Sequence, residues 1–196
     1  MAPDAHELLW LLLTLVAIAL RRVHERRSGR PRTLAGIPPD ELVLMVAWGL
    51  AAAVLPLFYV FGDALAFADY PFALPPLLRD LGVALFLAAL WLLHRSHVDL
   101  GAAWTLSAEP AEDARLVTDG VYGHLRHPMY AAHLLWGLAQ ALLLGNALAG
   151  PPALVLMGLI AALRIPREEA ALAARYGDAW RGWAAATPRL VPRLGS

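Results

Sequence analysis

The stretch from His127 to Glu169 reads HPMYAAHLLWGLAQALLLGNALAGPPALVLMGLIAALRIPREE and contains two apolar segments. The first segment, Met129–Leu144, has the length of a helix. The second, Ala153–Ile165, follows after GNALAGPP, which is rich in helix-breaking residues. Because this connection is short, we predict that the two segments pair as a helical hairpin. The polar residues at the two outer ends of the hairpin then lie close together.

The composition of the 196-residue chain indicates a membrane protein. Hydrophobic residues make up 59% of the sequence, against about 45–50% apolar residues in soluble proteins. The mean hydropathy is +0.55. The formal net charge is zero, so we expect no nucleic-acid partner. Cysteine is absent, which excludes a disulfide framework, a thiolate metal site and a cysteine nucleophile.

Three further apolar segments precede the hairpin, at Leu8–Leu20, Leu42–Phe61 and Leu77–Leu93. The first is long enough to span a bilayer as Ala2–Leu20 if Asp4 and Glu7 reach into the interface. Positive charges follow the first segment instead of preceding it, so we interpret it as a retained transmembrane helix and not as a signal peptide. The sequence thus predicts an all-α, polytopic membrane protein of about five transmembrane helices that ends in a helical hairpin. The fifth segment is short enough to lie in the interface or to be buried instead of spanning the bilayer.

The distribution of arginines predicts the orientation in the membrane. With five spans, the arginine-rich segments after the first and third helices and at the C-terminal end fall on one side, and only Arg79 falls on the other. We therefore expect an outside N-terminus and a cytoplasmic C-terminus, in the inner or plasma membrane of a prokaryote. We also expect two parts, with N-terminal transmembrane helices in residues 1–94 and the functional core in residues 95–196.

Charged residues gather where the hairpin begins and ends. Arg126 and His127 precede its first segment. Arg164 lies at the end of its second segment, and Glu168 and Glu169 follow it. Charges at the edge of a bilayer are costly unless they are paired or functional, so these residues form a candidate site. Arg164 and Glu168 are four residues apart and share a helix face. Glu169 points about 100° away from Glu168, which predicts a different role.

Two prolines in this cluster are expected to determine the helix geometry around the charged residues. Pro128 fits the first position of a helix and leaves His127 just outside it, where backbone N–H groups suit an anionic ligand. Pro166 lacks a backbone donor and predicts a kink or a restart of the last helix. Each charged or aromatic residue here also has a structural explanation, as a topology anchor, a dipole partner or part of an aromatic belt. The convergence of both clusters on one hairpin favours a functional site.

A metal site is a weaker interpretation of the histidines. His94 and His97 are three residues apart, as are His124 and His127, and imidazole is a good ligand for iron and zinc. However, the second pair straddles the helix boundary, and His24 is expected in an arginine-rich loop. We therefore predict no bound metal.

Three features of the sequence occur in a fixed order, namely LVTDGVYGHLRHPMY, a hairpin turn at GN, and RIPREEAALAARYGDAW. Together they resemble the isoprenylcysteine carboxyl methyltransferase family, and the related phospholipid methyltransferases are similar. HVDLGAAWTL matches the LG-x-x-W segment of that family. The resemblance extends from His97 to about Pro192. It implies an integral membrane methyltransferase with cytosolic cofactor-binding segments. The implied cofactor is S-adenosyl-L-methionine, the implied product is S-adenosyl-L-homocysteine, and the implied acceptor is lipophilic and enters from the lipid bilayer.

The resemblance also implies roles for individual residues. The implied catalytic residues are Arg164 on the acceptor side, Glu168 and His127. The implied cofactor-binding residues are Ala114, Arg115, Leu116, Val117, Tyr122, His127, Pro128, Met129, Tyr130, Glu168 and Glu169. The prenylcysteine enzymes of the family have a histidine-threonine pair where this chain has Ala114 and Arg115, and Pro166 interrupts the turn from arginine to glutamate. These departures leave the acceptor open.

O-methylation of a carboxylate, as in an isoprenylcysteine, is the favoured reaction and needs no general base. A phospholipid amine, a thiol or a fatty acid stays open as acceptor. N- or S-methylation would need a base, for which His124 and Glu169 are the candidates. Two other classes of function also stay open. A sterol-reductase-type enzyme that uses NADPH is disfavoured because such enzymes are usually longer and have more spans. A non-enzymatic small membrane subunit or permeation protein stays open, and a pore or carrier is disfavoured because the first three spans contain few polar residues.

Overall fold

The computed structural model describes residues 3–28, 37–62, 67, 70–103 and 115–193, and within them the regular structure is helical. The helices are α1 (Ala5–Ser28), α2 (Pro39–Gly49), α3 (Leu55–Phe61), α4 (Pro76–Leu100), α5 (Pro128–Leu144) and α6 (Pro152–Ala186). The predicted all-α class is therefore confirmed. The division at residue 94 stays a prediction, and α4 runs continuously across that position.

Two helical stretches of the described residues are long and apolar enough to cross a bilayer. They are Pro39–Phe61, with a mean hydropathy of 2.2, and Pro76–Leu100, with a mean hydropathy of 1.8. α5 is a shorter apolar helix. Large apolar side chains such as Val43 and Phe58 are 66% and 63% exposed on the outer face of the first stretch, which fits a lipid environment better than water. The count of five spans and the orientation stay predictions.

A π-helical turn, Leu50–Val54, joins α2 to α3 immediately before Pro56. Proline has no N–H and crowds the carbonyl four residues before it, which disturbs the regular helix ladder. Gln140 of α5, which is fully buried, donates from Nε2 to the Ala51 carbonyl at 2.9 Å and to the turn after α5. Trp10 Nε1 of α1 donates to Gln140 Oε1 at 3.3 Å. One amide side chain thus joins α1, the π-helical turn and the turn after α5.

α5 and α6 form the hairpin that the short connection predicts. Gly145 ends α5 with a φ of +58°, a left-handed conformation that glycine adopts without strain. Asn146 follows and is buried, and its Oδ1 accepts hydrogen bonds from the N–H groups of Leu148 and Ala149 at 3.0 and 3.2 Å. Its Nδ2 donates to the Phe67 carbonyl at 2.9 Å. Because every polar atom of this side chain is used, the connection has one defined shape.

The two hairpin helices approach closely at Gly137. A Cβ atom at this position would lie 2.6 Å from the Cα atom of Leu154 and 2.7 Å from its backbone nitrogen. Those neighbours are backbone atoms and cannot turn aside as a side chain can. The absence of a side chain at Gly137 therefore allows α5 and α6 to pack at this distance.

The predicted restart of the helix at Pro166 is wrong, whereas the alternative, a kink at this proline, stays a prediction. The helix runs through Pro166, and the backbone leaves helical geometry at Gly177, where φ is +55° and ψ is −125°. A helix can absorb one proline by giving up one backbone hydrogen bond, whereas the angles at Gly177 are accessible only to glycine. The change of direction at Gly177 sends the end of α6 back toward the start of α5.

We predict that Gly137→Ala destabilises the fold by about 1–3 kcal/mol, because the added methyl group overpacks a contact between backbones. Gly158→Ala on α6 is the matched control, since a Cβ atom there meets nothing within 4 Å. The control should be neutral or slightly stabilising, because alanine favours a helix over glycine by about 1 kcal/mol. Thermal unfolding in detergent measures both variants, and equal stability of the two would contradict this account of the helix contact.

Candidate functional site

The lengths of the hairpin helices bring the predicted polar residues to one level. α5 is 17 residues long, and the segment of α6 from Pro152 to Glu168 has the same number of residues, so each rises about 25 Å from the connecting turn. The start of α5 and the pair Glu168–Glu169 thus lie side by side. Tyr130, in the first turn of α5, donates its hydroxyl hydrogen bond to Glu168 Oε1.

His127 lies between the two carboxylates. It is the N-cap residue of α5 and is buried, and Pro128 occupies the first helical position, as the sequence predicts. The Nε2 atom of His127 lies 3.2 Å from Glu169 Oε1, and its Nδ1 atom lies 3.6 Å from Glu168 Oε2. One imidazole thus contacts both acidic residues, and it occupies the position just before α5 where a helix start favours anionic groups.

Glu169 is surrounded by positive charge. Arg189 contacts it twice, from Nη2 to Oε2 at 2.6 Å and from Nε to Oε1 at 3.1 Å, and Arg126 Nη1 lies 2.8 Å from Oε1. Burial by itself raises the pKa of Glu169, but the hydrogen bonds from Arg189 and His127 outweigh burial, and the pKa lies below its usual value. Glu169 is therefore a charged anchor for several cations.

The segment after α6 returns to this anchor. The backbone N–H of Arg126 donates to the Pro188 carbonyl at 2.8 Å, and that of His127 donates to the Arg189 carbonyl at 3.0 Å. The sequence pattern did not identify Arg189 as a site residue. Its only sequence signal is its charge, and its position depends on the turn at Gly177.

Glu168 and Arg164 face a different set of partners. Arg164 Nη2 lies 3.5 Å from Glu168 Oε1, one helical turn away on the same face. Arg164 is 6% exposed, and α2 contributes two further neighbours. Its Nη1 atom donates to Met45 Sδ at 3.3 Å, and its Nε atom lies 3.7 Å from Glu41 Oε2. The sequence analysis did not include Glu41 or Met45, because α2 carries no motif.

The turn before α5 is fixed by contacts to α4. The Val121 N–H donates to Asp99 Oδ2 at 2.9 Å, and Arg95 Nη2 holds the other carboxylate oxygen at 2.6 Å. Burial raises the pKa of Tyr122 well above its usual value, so its hydroxyl stays protonated. Trp183, near the end of α6, donates from Nε1 to the Tyr122 carbonyl at 3.2 Å. The turn is thus held between α4 and the end of α6.

The structure brings some of the predicted site residues together and leaves others apart. Five of them meet at the ends of the hairpin helices, and these are His127, Tyr130, Arg164, Glu168 and Glu169. Val117 and Tyr122 are buried together beside them in the turn, and Pro128 begins α5. Met129 and Leu116 are partly buried, and Arg115 is exposed. Ala114 lies outside the described residues. The roles of all these residues stay predictions.

The structure places one histidine, His24, in a different kind of segment from the predicted loop. His24 belongs to α1 and not to a loop, because α1 continues to Ser28. Its Nε2 atom lies 3.1 Å from His94 Nδ1, and its ring stacks on that of His97 at 5.2 Å between centroids. In the part of the chain that the structure describes, no group of three histidine, cysteine, aspartate or glutamate side chains is arranged to hold a metal ion.

A cavity of about 170 Å³ lies between α1, α2, α4 and α5. Its walls are mostly apolar and include Ala52, Leu93, His133 and Trp136. Trp48 also lines it, and this residue lies one helical turn along α2 from Met45, the neighbour of Arg164. The cavity therefore begins about one turn further into the helix bundle than the cluster of charged residues.

Two curated proteins are similar to part of the chain. The chain is 33% identical over 83 residues to the Protein-S-isoprenylcysteine O-methyltransferase of Schizosaccharomyces pombe. The matched region covers 42% of this chain and 35% of the yeast protein. Over 81 residues, it is 35% identical to the Protein-S-isoprenylcysteine O-methyltransferase B of Arabidopsis thaliana, which covers 41% of each chain. The chain thus matches less than half the length of these curated relatives.

The fold is similar to that of a solved structure, the eukaryotic intramembrane Ras methyltransferase ICMT. The TM-score is 0.55 and the sequence identity is 19%, over 81% of this chain and 54% of that one. The model of the isoprenylcysteine carboxyl methyltransferase (ICMT) family matches residues 82–174, from α4 through α5 into α6. This matched segment, which is less than half of the chain, is similar to the isoprenylcysteine carboxyl methyltransferase family.

Proposed function

We propose that the chain is an integral membrane methyltransferase that transfers the methyl group of S-adenosyl-L-methionine to a lipophilic acceptor. The favoured acceptor is a carboxylate of the isoprenylcysteine type, which is the substrate that the names of both curated relatives give for those proteins. The observation that carries the proposal is the contact between the start of α5 and the segment of α6 that contains Glu168. It joins the HP-x-Y residues and the glutamate pair in one cluster.

The side chains of this cluster fit the chemical groups of S-adenosyl-L-methionine. Glu168 would pair with its ammonium group or hydrogen-bond to its ribose. His127 and the backbone at the start of α5 would hold its carboxylate, since a helix start favours anions. Tyr122 and Tyr130 present aromatic rings beside the cluster, which suit a sulfonium by cation–π contact. When bound, the cofactor supplies an already activated methyl group.

The protein then has to supply position and electrostatics. Arg164 would bind an anionic acceptor through its planar guanidinium group, which matches a carboxylate in bidentate geometry. A carboxylate acceptor is itself the nucleophile and loses no proton. Glu169 holds Arg126, His127 and Arg189 in one arrangement, and it would thus fix the imidazole against which the cofactor binds.

The apolar cavity supports a lipophilic acceptor. Met45 contacts Arg164, and Trp48, one turn further along α2, lines the cavity. An acceptor whose carboxylate lies at Arg164 can therefore extend its apolar part along α2 into the cavity. Such a placement removes apolar surface from water and leaves the anionic end among charged groups, which satisfies both halves of an amphipathic molecule.

Binding of the cofactor separates the proposed function from the alternatives. We expect S-adenosyl-L-methionine and S-adenosyl-L-homocysteine to raise the thermal unfolding temperature of the detergent-solubilised protein, because each binds the folded state. NADPH should not raise it. A shift with NADPH alone would instead indicate a reductase, and no shift with any of the three would favour a non-enzymatic subunit.

The acceptor can be identified from the methylated product. Incubation with labelled S-adenosyl-L-methionine and three probes, N-acetyl-S-farnesylcysteine, phosphatidylethanolamine and a long-chain fatty acid, should give a base-labile methyl ester on the farnesylcysteine. Methylation of the phospholipid amine alone would contradict the proposed carboxylate chemistry while leaving the cofactor assignment intact.

We predict that Glu168→Gln lowers the affinity for S-adenosyl-L-methionine by roughly 10- to 100-fold, because hydrogen bonds to charged groups contribute about 1.5–3 kcal/mol. The glutamine keeps the shape of the side chain and a carbonyl oxygen for Tyr130. Asp178→Asn is the control, since Asp178 pairs only with Arg181 on the exposed surface among the contacts described. Calorimetry measures both affinities, and an unchanged affinity in Glu168→Gln would refute the assignment of this residue.

We predict that Arg164→Ala keeps the affinity for S-adenosyl-L-methionine within a few-fold but lowers kcat/KM for the acceptor by about 100-fold or more, because a bidentate charged contact is lost. Glu41 keeps its ion pair with Arg167 in this variant, so no buried carboxylate is left without a partner. Arg181→Ala, on the exposed end of α6, is the control for loss of an arginine. If Arg164→Ala reduces cofactor affinity as strongly as turnover, Arg164 does not act on the acceptor.

A further inference from the structure

Glu41 is a buried carboxylate in a part of the chain that precedes the family-matched segment. It is 3% exposed and lies in the first turn of α2. A buried charge is costly unless opposite charges surround it. Here the opposite charges are Arg164 and Arg167 of α6. This ion-pair cluster therefore connects α2 directly to the arginine that faces the proposed acceptor.

The guanidinium group of Arg164 has neighbours along three of its edges. Glu41 Oε2 lies 3.7 Å from Nε, Met45 Sδ lies 3.3 Å from Nη1, and Glu168 Oε1 lies 3.5 Å from Nη2. Two of these neighbours come from α2 and one from α6. A planar group with contacts on three edges has its orientation fixed as well as its position.

The distances also indicate how strongly each of the two arginines interacts with the Glu41 carboxylate. Arg167 donates a hydrogen bond from Nη1 to Glu41 Oε1, whereas the 3.7 Å between Arg164 and Glu41 is longer than a hydrogen bond. The carboxylate is thus mainly neutralised by Arg167. Glu41 attracts Arg164 by charge across 3.7 Å, a separation at which an incoming anion can compete with Glu41 for the guanidinium group.

We propose that Glu41 is a positioning residue for the methyl acceptor, acting through Arg164. It keeps the guanidinium group of Arg164 in the orientation that receives an anionic acceptor. Because Arg167 neutralises most of the charge of Glu41, the attraction between Glu41 and Arg164 stays weak enough for the acceptor to bind. This inference rests on the proposed function, because it requires Arg164 to bind the acceptor.

Glu41→Gln is the first variant of the test, and Asp40→Asn is its matched control. Asp40 is the adjacent acidic residue, is largely exposed and contacts Arg167 from Oδ2 at 3.3 Å. With N-acetyl-S-farnesylcysteine as acceptor, Glu41→Gln should raise KM about tenfold, in the range of coupling between neighbouring charges. Calorimetric affinity for S-adenosyl-L-methionine should stay within twofold, and Asp40→Asn should match the wild type in both quantities.

A double-mutant cycle with Arg164→Lys shows whether Glu41 acts through Arg164. Lysine keeps the charge but has no planar group to orient. In the Arg164→Lys background, Glu41→Gln should therefore change KM for the acceptor by less than about twofold. A full tenfold effect in that background, or a parallel loss of cofactor affinity in Glu41→Gln, would overturn the inference.

Two further results make the test decisive. Glu41→Asp retains the charge on a shorter side chain and should give a KM between those of the wild type and Glu41→Gln. If Glu41→Gln does not fold, Glu41→Asp replaces it in the cycle with the same criterion. An unchanged acceptor KM in Arg164→Lys and Arg164→Ala would overturn the acceptor role of Arg164 and this inference with it, whereas an additive cycle would overturn this inference alone.

Discussion

The close contact between α5 and α6 is the constraint on which the candidate site depends. Gly137 lets the two backbones meet, and the turn at Asn146 fixes where the second helix starts. From that turn each helix rises by the same number of residues to the level of the charged cluster. Because a helix advances 1.5 Å and rotates 100° per residue, this geometry determines which face of α6 meets His127 and Tyr130.

The ionic partners of Glu168 and Glu169 then distinguish the roles of these two residues. Glu168 and Glu169 are adjacent in sequence and share His127, yet Glu168 contacts Tyr130 and Arg164 whereas Glu169 contacts Arg126 and Arg189. Charges at the edge of a bilayer persist only when partners are fixed around them. The anchor at Glu169 is saturated by cations. Glu168 has fewer ionic contacts, which makes it the carboxylate better suited to a ligand.

Local patterns predict the hairpin and its polar ends well. The breakers in the connection, the proline that begins α5 and the spacing of Arg164 and Glu168 each depend on neighbouring residues only. The helix does not restart at Pro166, because a packed helix tolerates one missing backbone hydrogen bond. The break at Gly177 depends on a backbone angle that the sequence does not reveal.

Other features depend on contacts between distant segments, and no local pattern encodes them. His24 was assigned to a loop because charged residues surround it, although α1 continues through them to pack against His94. The π-helical turn before Pro56 is stabilised by Gln140, which lies far away in sequence. The count of five spans stays a prediction, since hydropathy and length identify only two clear candidates among the described helices.

The segments outside the family-matched residues 82–174 approach the site from two directions. α2 contributes Glu41 and Met45 beside Arg164, and the segment after α6 contributes Arg189 beside Glu169. The first set faces the proposed acceptor, and the second faces the imidazole proposed to hold the cofactor. A substitution in α2 can therefore alter the environment of Arg164 while the residues proposed to bind the methyl donor keep their partners. This separation is a physical route by which acceptor preference can differ between proteins that share the hairpin and the proposed cofactor chemistry.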